Sequence, residues 1–251
     1  MCAGNAATMS GDREIRIWLQ IVEQALGGPV SLAHVCAAAA ATAGVDGAGL
    51  TVVVTPTVRE TVSATDAVAA DLEELQLTLG QGPCLDTFTS GGPVLAGDLR
   101  SSEFFARWPV FAPAALDAGA RAVFALPLHI GAISLGVLDL YRARPGGLDS
   151  KELADALAFA DVAGMLLLDR TASAEPGGAE LAWQHDNASA HQAVVHQATG
   201  MILVQLGVSA EAAFARLRAY AYAHDRRLSD VARDVVGRRL RFEPDALPEP
   251  P

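Results

Sequence analysis

The chain has 251 residues, of which 51% are hydrophobic, and a formal net charge of −11 at pH 7 from 18 basic and 29 acidic side chains. This length and composition allow one large or two ordinary buried cores, and the acidic balance excludes wholesale binding to nucleic acid or to a membrane surface. The cysteines, Cys2, Cys36 and Cys84, are sparse and lack ligand spacing, which excludes a disulfide framework and predicts no metal site.

The sparse cysteines favour a protein of the reducing cytoplasm. The N-terminus lacks the charged-then-apolar pattern of a secretory signal. The longest apolar run, 35–45, is mostly alanine and too short to cross a bilayer. We therefore expect a cytoplasmic protein that does not enter a membrane.

The first part of the chain alternates between helical and strand patterns. Residues 1–11 are predicted to be polar and disordered, and 12–26 to form a helix with one apolar face. That face consists of Ile15, Trp18, Leu19, Val22 and Leu26. A second helix is predicted from Ser31 to about Ala43, followed by strands at 49–54 and 58–64 and a helix at 67–79.

A glycine- and proline-rich loop, 80–87, then opens another helix. A short strand is predicted at 93–96, and a helix at 104–118 that Pro109 or Pro113 interrupts. Two apolar strands, 120–130 and 133–141, flank a turn at 131–132 and give the strongest hairpin signal in the chain. A long helix from Ser150 to Arg170 completes an α+β pattern with an antiparallel sheet.

The composition changes after this helix. Residues 171–178 read TASAEPGG, and we predict a linker at 171–180 between a domain at 12–170 and a helical module at 181–242. The stretch 191–242 carries eight arginines against four acidic residues, a local net charge of +4 (8 − 4). A small basic helical module on an acidic chain indicates a polyanionic partner.

The first helix of this module has a weak heptad pattern. It predicts a homodimeric coiled coil. Its seam would be formed by Leu181, Ala188, Val195, Ala198 and Ile202. The alternative is one amphipathic helix that packs on its own domain.

The segment 12–170 resembles a GAF domain. The resemblance is carried by GQGPCLDTF at 80–88, VLAGDL at 94–99 and ALPLHIGAISLGVLDLY at 125–141. It implies a sensor domain with a pocket on one face of an antiparallel sheet and a small-molecule ligand. The sequence does not select the ligand or a cofactor.

Two residues are candidates for this pocket. Cys84 follows Gly-Pro at a predicted helix start, where the helix dipole lowers a thiol pKa, as in redox-active or covalently modified cysteines. The alternative is a small buried apolar side chain. His129 lies in a strand that faces the predicted pocket.

An enzyme is not expected. A GAF-fold methionine sulfoxide reductase would need a resolving cysteine such as Cys36 beside Cys84. The sequence contains no phosphate-binding glycine loop, HExxH motif or nucleophile elbow.

The C-terminal stretch is identified as a member of the ANTAR family. The matching segments are HQATGMI at 196–202, LGVSAEAAF at 206–214, LRAYA at 217–221 and RRLSDVARDVV at 226–236. The resemblance implies a three-helix module that binds paired hairpins in nascent transcripts and prevents a terminator from forming. Family members usually carry a basic residue before the glycine of the first helix, whereas this chain has Thr199 before Gly200.

Arginine suits RNA because its planar guanidinium stacks on bases and binds phosphate in a bidentate manner. The predicted RNA-binding residues are Arg218, Arg226, Arg227, Arg233 and Arg216. The later arginines, Arg238, Arg239 and Arg241, are expected only to solvate a frayed end.

The predicted function is therefore a signal-responsive transcription antiterminator. One alternative is a GAF-regulated DNA-binding protein, because the last two helices and their turn also have helix-turn-helix spacing. The second alternative is a thiol redox protein.

Overall fold

The computed structural model describes residues 3–55, 58–131, 133–173, 187–224 and 226–243. The chain divides into two compact units, residues 1–188 and 189–251.

Helices and strands of the first unit follow the predicted order and confirm the α+β class. They are α1 (Ala3–Gln24), α2 (Leu32–Thr42), β1 (Gly47–Thr55), β2 (Val58–Ala64), α3 (Ala67–Leu79), α4 (Pro83–Ser90), β3 (Val94–Ala96), α5 (Ser102–Arg107), α6 (Phe111–Asp117), β4 (Ala122–Ile130), β5 (Ile133–Arg142) and α7 (Ser150–Ser173).

The strands form an antiparallel five-stranded sheet in the order β2-β1-β5-β4-β3. The predicted hairpin is β4–β5, in which Ile130 pairs with Ile133 and Gly131 has φ +60°. In the central register Asp139 on β5 lies opposite Gly49 on β1 and Ala125 on β4. A carboxylate in the middle of the sheet is thus flanked by the two smallest side chains.

Each face of the sheet has its own apolar core. One core includes Phe124, Leu126 and Leu138 and is covered by α1, α2 and α7. The other includes Val123 and Val137 and is covered by α3, α4 and α6. The two sets alternate along β4 and β5 because successive side chains of a strand point to opposite faces.

The first helix differs from the sequence prediction in two ways. It begins at Ala3, within the segment predicted to be disordered. Among residues 11–24 the buried ones are Ile17 and Ile21, whereas Trp18 and Leu19, on the face predicted to be buried, are 43% and 61% exposed. The cause is a clamp on the other side: Arg13 and Arg16 both bind the buried Asp155 of α7.

The predicted break in helix 104–118 is confirmed. Helix α5 ends at Arg107, before Pro109, and α6 begins at Phe111. Gln81 stabilises this start, because its Oε1 accepts the backbone N–H groups of Val110 and Phe111 at 2.9 and 3.1 Å.

The second unit consists of α8 (Asn187–Leu206), α9 (Ala210–Ala223) and α10 (Leu228–Val236). Gly207 has φ +67° and ends α8, while the Ser209 hydroxyl caps α9 by accepting the N–H of Ala212. Each helix has a buried face. The buried apolar residues are Val195, Ala198 and Ile202 on α8, Ala213, Leu217 and Ala221 on α9, and Leu228, Val231, Ala232 and Val235 on α10.

The ends of α7 and the buried face of α8 can be compared with the predicted linker and dimer seam. Helix α7 runs to Ser173, so the first three residues of the predicted linker are helical. Leu181 lies outside the described residues, as does the side chain of Ala188. Val195, Ala198 and Ile202 are at most 5% exposed in the single chain and have little surface left for a partner. The seam through them stays a prediction.

Among the described residues no single helix has the length and hydropathy of a membrane span. Helices α8 and α9 reach that length and hydropathy only when they are taken together, and the pair is bent by 107°.

Candidate functional site

The predicted RNA-binding arginines occupy three places in the second unit. Arg216 and Arg218 lie on α9, Arg226 and Arg227 immediately before α10, and Arg233 on α10. Arg218 is half-buried, with its guanidinium carbon 5.8 Å from the ring centre of Phe214. The other four are exposed.

Two aspartates of α10 hold several of these guanidinium groups. Asp234 accepts from Arg226 and from Arg239, each at 2.7 Å, and Asp230 accepts from Arg233. The hydrogen bonds from Arg239 and then Arg226 lower the pKa of Asp234. Asp234 therefore stays charged and fixes two arginines in defined positions.

The chain beyond α10 turns back towards α8. Arg238 has φ +56°, and its N–H donates to the carbonyl of Val235 at 3.0 Å. Farther on, the N–H of Phe242 donates to Oε1 of Gln205 at 2.9 Å, and the Phe242 ring packs edge-on against Tyr220 at 5.5 Å. The segment 238–242, here called the C-terminal segment, is thus docked and not frayed.

This return creates a groove of about 620 Å³ between α8 and the C-terminal segment. Its lining is Gln197, Gly200, Met201, Val204, Gln205, Arg238, Leu240 and Arg241. The sequence prediction left Arg238 and Arg241 out of the binding site. Their role depends on the return of the chain, which no local pattern shows.

Aromatic side chains accompany the arginines. Tyr222 on α9 is 57% exposed, four residues after Arg218 and hence on the same side of the helix. An exposed aromatic ring beside a guanidinium suits the stacking of an unpaired base.

In the first unit, the GQGPCLDTF segment serves mainly to assemble the fold. Asp86 accepts from Nε of Arg107 at 2.6 Å and from the Trp108 indole at 3.0 Å. The Thr87 hydroxyl donates to the carbonyl of Ala125. The N–H of Cys84 donates to Oε1 of Gln76 at 2.7 Å.

The two predicted pocket residues lie apart. Cys84 is the second residue of α4 and is 2% exposed. His129 is half-buried, and its Cε1 lies 3.8 Å from where a Cβ of Gly91 would be, just beyond the end of α4. The eight-residue helix that separates them is about 12 Å long. The structure does not bring them together.

Cys84 instead adjoins Glu73 of α3 and Asp139 of β5. Burial raises the pKa of Asp139 to about 6. Burial, and then the neighbouring Asp139 carboxylate, raise the pKa of Glu73 well above its ordinary value. Sequence reasoning missed this cluster, although Asp139 within the apolar strand VLDLY was a visible signal.

Cys36 belongs to the core on the opposite face of the sheet from Cys84. Burial raises the pKa of the Cys36 thiol to about 12. A thiol enzyme that uses these two cysteines as attacking and resolving partners is therefore not supported.

A sheet with helices on both faces is followed along the chain by a basic three-helix unit. A family model for the GAF domain matches residues 31–168, and one for the ANTAR domain matches 184–236. The chain belongs to the family in which a GAF domain precedes an ANTAR domain. Both families are regulatory rather than catalytic. No curated protein matches this chain.

Solved structures similar to the first unit include two GAF domains. One is from a phosphoenolpyruvate-protein phosphotransferase of Coxiella burnetii, at 14% identity, TM-score 0.48, covering 64% of this chain and 95% of that one. The other is the nlh2 GAF domain of A. aeolicus in an inactive state, at 15% identity and TM-score 0.42, covering 64% and 99%.

Proposed function

We propose that this protein is a signal-responsive transcription antiterminator. Its C-terminal module binds hairpins in nascent RNA, and its GAF domain takes up a small-molecule signal that controls this binding. The protein acts in the cytoplasm, where transcripts are made. The family of the two domains supports this at a coarse level.

The observation that carries the proposal is the groove beside α8. This helix contains no lysine or arginine, and Thr199 stands where relatives usually carry a basic residue. Arg238 and Arg241, from the returning segment, line the groove together with Gly200. They supply positive charge at the end of α8 that its own sequence lacks.

The DNA-binding alternative is less well supported by the start of α10. In a helix-turn-helix, the first residues of the second helix contact base edges in the major groove. Here Leu228 and Ser229 are buried, and Asp230 is acidic and paired with Arg233. This helix end offers little to a base edge.

The test is a titration of the full-length protein with a tandem-hairpin RNA and with duplex DNA at two salt concentrations. We expect tighter binding to the RNA. The double variant Arg238→Ala with Arg241→Ala should weaken it about 10-fold or more and reduce the salt slope by about 2, because two phosphate contacts are lost.

Arg144→Ala is the matched control, because Arg144 is an exposed arginine of the first unit. It should leave both affinity and salt slope unchanged. Tighter binding to duplex DNA would sink the RNA hypothesis. Wild-type affinity in the double variant would remove the groove from the site.

The protein is further proposed to be a homodimer. The supporting observation is the exposed apolar face of α1, on which Ile15, Trp18 and Leu19 are 63%, 43% and 61% exposed. Apolar residues clustered on an exposed helix face are typical of a protein–protein contact.

A further inference from the structure

Three ionisable side chains meet inside the first unit, each from a different element. They are Glu73 of α3, Cys84 of α4 and Asp139 of β5, and one carboxylate oxygen or sulfur from each lies within 4.8 Å of the others. The three residues are only 3%, 2% and 5% exposed. A buried set of this composition has the atoms of a metal site.

Several polar atoms of the cluster lack a hydrogen bond of good geometry. The Thr51 hydroxyl donates to Oε2 of Glu73 at 2.5 Å. Glu73 Oε1, both carboxylate oxygens of Asp139 and Nε2 of Gln76 make no hydrogen bond of good geometry among the described residues, and the groups that face the Asp139 carboxylate are Glu73, Cys84 and Gln76 themselves. Buried carboxylate oxygens are costly when nothing compensates them, so a group that satisfies them is expected here.

Glycines keep the space around the cluster open. A Cβ on Gly49 would lie 2.3 Å from Oε1 of Glu73, and a Cβ on Gly82 would lie 2.6 Å from Oε1 of Gln76. Gln76 in turn accepts the N–H of Cys84. Gln76 and Thr51 thus orient two of the candidate ligands, in the manner of groups that surround a bound metal ion.

We propose that Glu73, Cys84 and Asp139 bind a divalent transition-metal ion, with zinc as the representative. An ion between three atoms no more than 4.8 Å apart lies within about 2.8 Å of each, so shifts of at most about 0.5–0.8 Å in each ligand atom bring it to about 2.0–2.3 Å. Thiolate and carboxylate together suit zinc and its neighbours.

The charges are also consistent with such an ion. A thiolate and two carboxylates carry three negative charges, and a divalent cation removes two of them. Cys84 lies in the first turn of α4, a position at which a helix dipole favours a negatively charged ligand. Three protein ligands leave a fourth position, which a water or a small anionic signal can occupy.

The competing arrangement is a proton shared by Glu73 and Asp139 with no metal. The test is a Co²⁺ titration of the full-length protein followed by absorption, because a thiolate ligand gives cobalt a sulfur-to-metal charge-transfer band. We expect the wild type to take up about one equivalent, to show this band, and to lose it when zinc is added.

Cys84→Ala should abolish the band, and the nearly isosteric Asp139→Asn should bind Co²⁺ at least about 10-fold more weakly. Cys36→Ala is the matched control, because this buried thiol lies on the opposite face of the sheet; it should behave as the wild type. Circular dichroism verifies that each variant is folded.

Failure of wild-type protein to bind Co²⁺, or a band that persists in folded Cys84→Ala, overturns the proposal. An infrared band of a protonated carboxyl that Glu73→Gln removes, without metal uptake, would establish the shared proton instead. The proposal does not rest on RNA binding, and the variants of the arginine groove should retain the metal.

Discussion

The Asp234 carboxylate has two opposing effects on the proposed RNA-binding surface. Its carboxylate positions Arg226 and Arg239, but it also places a negative charge among the arginines that would meet phosphate. We expect Asp234→Asn to strengthen binding to hairpin RNA about 2- to 5-fold at low salt, with the gain disappearing at high salt, where charges are screened. Filter binding at two salt concentrations measures it.

Glu211→Gln removes the same charge from the same unit at an exposed position in the first turn of α9. It should produce a smaller gain. If Asp234→Asn weakens RNA binding, then Asp234 positions the arginines productively and the electrostatic argument is wrong.

For individual residues, the sequence predicts which residue types form a binding surface better than it predicts which side chains come into contact in the fold. Arg226, Arg227 and Arg233 are visible as a basic cluster, whereas the place of Arg241 depends on how the chain returns after α10. Glu73 looks like an ordinary charged residue of a helix. Only the three-dimensional fold brings it to Cys84 and Asp139.

Among the elements, α1 is held to α7 by one buried carboxylate. Asp155 accepts from Arg13 at 3.1 Å, Arg16 at 2.7 Å and Lys151 at 3.0 Å. Asp155→Asn should lower the free energy of unfolding of the first unit by about 1–3 kcal/mol, because a charge-assisted network is lost. Thermal or urea unfolding measures this, and hydrogen exchange should localise the change to α1.

The pH dependence has a defined sign. Burial alone would raise the pKa of Asp155, but the hydrogen bonds from Arg16 and Lys151 outweigh it and hold the pKa below its ordinary value. A depressed folded-state pKa gives stability that is present above about pH 4 and is lost as the pH falls through the folded value. The variant should therefore differ from the wild type at pH 7 and converge with it in acid.

The matched control is Asp161→Asn on the same helix. Burial and the nearby Glu14 raise the pKa of Asp161, so its charge is unfavourable in the folded state. This substitution should be neutral or slightly stabilising at pH 7. Equal losses in the two variants would contradict the clamp.

Helices and strands were predictable where local pattern and tertiary packing agree. The hairpin β4–β5 follows from two apolar runs around a tight turn, and the break before α6 follows from its prolines. The buried face of α1 was not predictable in this way. Both sides of α1 carry apolar residues, and the ion pairs with Asp155 decide which side is buried.

For the whole molecule, the proposed dimer can be tested through α1. Leu19→Glu places a charge on the exposed apolar face and should convert a dimer into a monomer in light scattering, with the circular dichroism spectrum unchanged. Val204→Glu alters an exposed apolar residue of α8 instead, and should leave the dimer intact. A wild-type dimer that only Val204→Glu dissociates would move the contact to α8.

The two-domain organisation was predictable because composition, charge and motifs all change between residue 170 and residue 191. The exact boundaries of the two domains were less predictable. Helix α7 continues to Ser173 without a break signal, and the compact units divide near residue 188. A helix that persists into a polar segment leaves little trace in sequence periodicity.

The most direct test of antitermination by this protein is single-round transcription in vitro of a template whose leader forms tandem hairpins before a terminator. We predict that the wild-type protein, with its signal present, increases read-through of the terminator. The Arg238→Ala, Arg241→Ala double variant should lose most of this effect, while Arg144→Ala retains it. Read-through that is the same with the wild type and the double variant would contradict antitermination through the arginine groove.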